Sequence, residues 1–63
     1  MEGQLEQMKT DSVALCEKLV YDLKRNRDDA EGFFGGDVYK AYVSATERAI
    51  SKAQLTRDEI RKL

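Results

Sequence analysis

Few residues in this chain of 63 could do chemistry, and their spacing limits what each can do. Cys16 is the only cysteine and histidine is absent. A thiolate nucleophile would have no imidazole base, and a structural zinc site would lack ligands. Cys16 stands instead among Val13, Leu15, Leu19 and Val20, where a thiol serves as a small hydrophobe. The stretch Gly32-Phe33-Phe34-Gly35-Gly36-Asp37 is glycine-rich, but a phosphate cradle needs Lys-Ser/Thr after its last glycine. Asp37 in that place would repel phosphate. A calcium loop comes closer, since counting from Arg27 puts Asp29, Glu31 and Gly32 at its third, fifth and sixth positions. The first ligand would then be Arg27 and the last Val38, where a bidentate glutamate is required. The chain therefore reads as a non-enzyme with no metal and no cofactor.

Charge narrows the partners. The net charge of −1 makes no electrostatic case for nucleic acid. The one basic cluster, Lys24-Arg25-Asn26-Arg27, suits the last turn of a helix, where cations complement the negative dipole end. Asp28 and Asp29 follow it directly. A dimer would still present two such clusters, so a helical bundle binding RNA or DNA through basic helix ends is kept as an alternative. No apolar run is long enough for a membrane span, and no apolar core of a signal follows Met1-Glu2-Gly3-Gln4. A cytoplasmic location is expected.

The elements that must position these residues are helical. Leu5, Met8, Val13, Leu15, Cys16, Leu19, Val20 and Leu23 fall in an arc of roughly 160° at ~100° per residue, with Ser12 inside it. This predicts a helix over about 4–27, with Tyr21 off its apolar side. Residues 28–36 make a glycine turn, where the backbone can reverse. Asp37 is placed to cap a second helix over about 37–54. That helix carries Ala41, Ala45, Ala49 and Ala53 at intervals of four, which suggests close packing. It also carries two adjoining apolar faces, Val38, Tyr42, Ala45, Ala49 and Ala53 beside Tyr39, Val43 and Ile50. Thr56 and Glu59 match a capping box, and Leu55 with Ile60 a hydrophobic staple, which predicts a short third helix over 57–63. Residues 1–23 carry five acids and two bases and residues 37–55 two acids and three bases, which mildly favours antiparallel pairing.

The expected fold is thus all-α, an antiparallel helical hairpin with a short C-terminal third helix in a single domain. A chain this small buries only about 60% of its unfolded surface and needs a staple. With disulfide and metal set aside, the staple is a partner chain, and dimerisation into a small bundle is expected through Tyr39, Val43 and Ile50. Phe33 and Phe34 either close the hairpin core or anchor a partner, a role aromatics often fill. These five residues are the candidate partner-binding set. The layout, with Gly35-Gly36-Asp37 followed by Tyr39 or Tyr42, resembles the helical-hairpin co-chaperones that hold the needle subunit in type III secretion. That resemblance implies service to one subunit of a secretion system. The broader expectation is a small regulator, inhibitor or adaptor that docks on a larger protein.

Overall fold

The computed structural model describes residues 2–63 and is all-helical, with no strand among them. Helix α1 spans Glu2–Asp29 and helix α2 spans Gly36–Arg61, joined by a 3-10 turn at Ala30–Gly32. Between Gln4 and Glu31 the sequence has neither proline nor glycine, so nothing interrupts hydrogen bonding along α1. Its 28 residues run about 42 Å at 1.5 Å per residue.

The reversal is built at Ala30. Its carbonyl accepts the amides of Phe33 and Phe34, at 3.0 and 2.9 Å, which closes the last turn. Ala30 is only 2% exposed, so a methyl group fills the angle where the helices converge. Gly35 then runs extended, and Gly36 turns into α2 with a φ of 55°. Of the glycines here, only Gly36 needs the left-handed region, which disfavours other side chains.

The two helices meet along one seam. On α1 the residues turned inward are Lys9, Val13, Cys16, Val20, Leu23 and Arg27, and Ala30 of the turn continues the series. On α2 they are Tyr39, Val43, Thr46, Ile50, Ala53, Arg57 and Ile60. Both series alternate steps of three and four, the heptad spacing of a coiled-coil seam. Val20, Ile50 and Ala53 are buried together, with Leu23 packed against them. Thr46 is buried among these apolar groups, and its hydroxyl donates to the Tyr42 carbonyl at 2.7 Å. That bond removes the cost of an unpaired buried hydroxyl. Glu17–Arg61 and Arg27–Glu47 tie the helices across one edge, consistent with antiparallel register.

Three expectations are corrected. The residues assigned to a third helix are the last turns of α2. The heptad series continues through Ala53, Arg57 and Ile60, and no glycine or proline breaks it, so the Thr56–Glu59 spacing sits inside an unbroken helix. Asp37 does not cap α2 either. Gly35 holds the cap position without a side-chain bond, and Asp37 lies in the first turn, where its charge meets the positive dipole end. The alanine ladder is no straight stripe, because a step of four drifts ~40° around a helix. Ala53 reaches the seam, while Ala41, Ala45 and Ala49 are exposed.

Candidate functional site

The five candidate binding residues separate into two groups. Ile50 is buried in the core, and Tyr39 and Val43 are half-buried on the same seam. They face α1 of their own chain, so pairing with another molecule through them would require opening the hairpin. One neighbouring helix covers Tyr39, Val43 and Ile50, and the uncovered face of α2 is the one carrying Val38, Ala45 and Ala49.

Phe33 and Phe34 remain at the surface, but their surroundings differ. The Phe34 ring lies 5.2 Å from the Tyr42 ring, tilted by 44°, which is the range of a favourable aromatic pair. Phe34 is 41% exposed and takes part in closing the hairpin end. Phe33 is 81% exposed, more than any other large apolar side chain described. Asn26, Asp29, Ala30, Phe33, Phe34 and Tyr42 together line a shallow groove at the tip. An aromatic ring thus stands on a turn pinned by two backbone hydrogen bonds to the Ala30 carbonyl, beside an apolar floor with one carboxylate at its rim.

A larger open groove, of about 420 Å³, lies toward the far end of the hairpin. Val13 and Ala14 contribute its apolar part, and Glu6, Lys9, Thr10, Glu17 and Arg61 its polar rim. Glu17 and Arg61 are paired with each other, and Lys9 lies 3.8 Å from Glu6, so the charges are largely matched within the rim. Cys16 is half-buried on the seam. Among the described residues no cluster of cysteines and acids could hold a metal ion. No family model, curated protein or solved structure matches this chain. The reading of its function rests on the surface alone. Among the described residues no helix is long and apolar enough to cross a membrane.

Sequence reasoning missed a second apolar surface, on α1. Leu5, Met8, Leu15 and Leu19 are 50%, 61%, 68% and 50% exposed. The signal was present in the spacing. The broad arc of α1 resolves into two heptad series, and α2 covers only the one through Val13, Cys16, Val20 and Leu23. Unmatched apolar surface therefore lies on α1, and on α2 at Val38 and Leu55, and not on the Tyr39–Val43–Ile50 face of α2.

Proposed function

We propose that this chain is a small non-enzymatic protein-binding module that docks its hairpin tip on a larger protein, and that two copies associate. One observation carries the docking reading: Phe33 is 81% exposed on a turn whose backbone is pinned at Ala30. A large aromatic on a preorganised turn supplies apolar contact area with little conformational entropy left to lose on binding. Phe34, next in sequence, packs on Tyr42 of α2 and so ties the turn to the hairpin. Tyr39, Val43 and Ile50 hold the scaffold and contribute to docking only by keeping the tip in place.

The test pairs binding with stability in the same variants. Phe33→Ala is expected to leave the melting temperature unchanged and to weaken capture of the partner by ≥ 2 kcal/mol, roughly thirtyfold. Phe34→Ala is expected to lower the melting temperature, because it removes the Tyr42 contact. Full partner capture by Phe33→Ala would remove the tip from consideration.

A further inference from the structure

The groove at the hairpin tip joins an apolar floor to an unpaired acid. Asp29 lines it beside Phe33, Phe34 and Tyr42. Among the described residues Asp29, Glu31 and Asp37 enter no ion pair, whereas Asp28 is held by Arg27 at 3.4 Å. The stretch from Asp28 to Asp37 carries four acids and no base. The bases just before it are Lys24, Arg25 and Arg27. Arg27 is turned to the seam, where it also meets Glu47 at 4.0 Å. Arg25 stands one turn before Asp29 on the same side of α1, and an exposed pair at that spacing is weak. The two helix ends that meet at the tip carry opposite partial charges and offset each other, so side chains set the sign there.

Size and composition limit the occupant. The groove holds about 240 Å³, below the ~300–1,000 Å³ of sites that bury a whole small ligand. It therefore suits one or two side chains of a peptide segment. Nucleic acid is disfavoured, since its phosphates would meet the four acids. An aliphatic or aromatic side chain matches the rings of the floor. A cation matches both the carboxylate and the negative face of an exposed ring. Phe33 offers such a face, at 81% exposure, in the same groove as the Asp29 carboxylate.

We propose that the tip groove recognises a basic peptide segment, a lysine or arginine next to an aliphatic or aromatic residue, on the surface of the larger protein. The proposal rests on the tip docking put forward above and names the chemistry of its partner. The cation is shared by Asp29 and the Phe33 ring, and the neighbouring apolar side chain fills the floor against Phe34 and Tyr42. Glu31 and Asp37 attract the segment from farther away and serve mainly the rate of encounter. Arg25 competes with the partner for Asp29, so its removal favours binding.

The experiment uses a library of random short peptides displayed on phage, panned on the full chain and counter-selected on Phe33→Ala. Peptides held by the wild type and lost by Phe33→Ala form the tip-dependent set. They are expected to carry a lysine or arginine beside an aliphatic or aromatic residue. For such a peptide made synthetically, Asp29→Asn is expected to weaken binding about two- to fivefold, the range of an exposed ion pair. Arg25→Gln is expected to strengthen it. Both side chains are exposed, and an unchanged helical spectrum checks that the fold is kept. Salt supplies a reading on the wild type alone: from about 0.05 to about 0.5 M its affinity is expected to fall by a similar factor. Tip-dependent peptides that are acidic or uncharged would overturn the basic partner and leave the docking tip standing. Basic peptides whose binding ignores both Asp29→Asn and salt would overturn the pairing with Asp29. A library without any tip-dependent peptide would overturn the docking tip itself, and this proposal with it.

Discussion

Single residues at the tip divide the work between conformation and contact. Gly36 is required by its backbone, since its φ of 55° is costly for a residue with a Cβ, although open space surrounds the position. Gly36→Ala should therefore destabilise by about 1 kcal/mol through strain alone, read as a lower midpoint in urea at unchanged slope. Gly35→Ala should change the midpoint less, because Gly35 is extended and equally unobstructed. Asp37 shows how a residue type can be right for a helix start while its exact position is not legible. A short acid near a first turn is favourable both as a cap and inside the turn, and the sequence does not distinguish the two. What decided it was the neighbouring glycine pair, which let the chain enter the helix two residues earlier, with Gly35 in the cap position. The candidate pair Phe33 and Phe34 was likewise visible as a pair. Which ring would find a neighbour depended on the register that brings Tyr42 to the turn, a tertiary fact with no local signature.

At the scale of the helices, the hairpin itself was legible, because two long apolar periods flank a cluster of glycines. The end of α2 was not. A capping-box spacing inside a helix is a common coincidence of Thr and Glu, and only a break in the heptad series would have made it a terminus. The alanine ladder misled in the same direction, since regular spacing by four looks like a stripe and in fact winds around the helix. The distinction can be measured. Ala53→Leu should destabilise by ~1–3 kcal/mol through overpacking against Val20 and Ile50. Ala41→Leu, on the outer face, should be neutral within ~0.5 kcal/mol. Equal effects at both sites would contradict the assigned seam. The surface ion pairs matter less to this balance. Glu17–Arg61 and Arg27–Glu47 are solvent-accessible on at least one side, and such pairs contribute ~0–1 kcal/mol each.

For the whole molecule, the apolar residues sort into three sets by place and exposure. Val20, Leu23, Ile50 and Ala53 serve the hairpin, Leu5, Met8, Leu15 and Leu19 stand exposed on α1, and Phe33 is the anchor proposed for a larger protein. The core is thin: among the described residues only Val20, Ala30, Ile50 and Ala53 of the apolar ones are buried, and no large side chain is fully enclosed. If two copies associate as proposed, stability is tied to concentration, as it is whenever association supplies part of the buried area. Hydroxyl-radical footprinting over a dilution series reads all three sets in one experiment. The account predicts that Ile50 and Leu23 resist oxidation throughout the range where the chain stays helical. Met8, Leu15 and Leu19 should be reactive in the dilute chain, while Phe33 stays reactive at every concentration. Protection of Met8 and Leu15 in the dilute chain, or protection of Phe33 in the protein alone, would contradict this division of the surface.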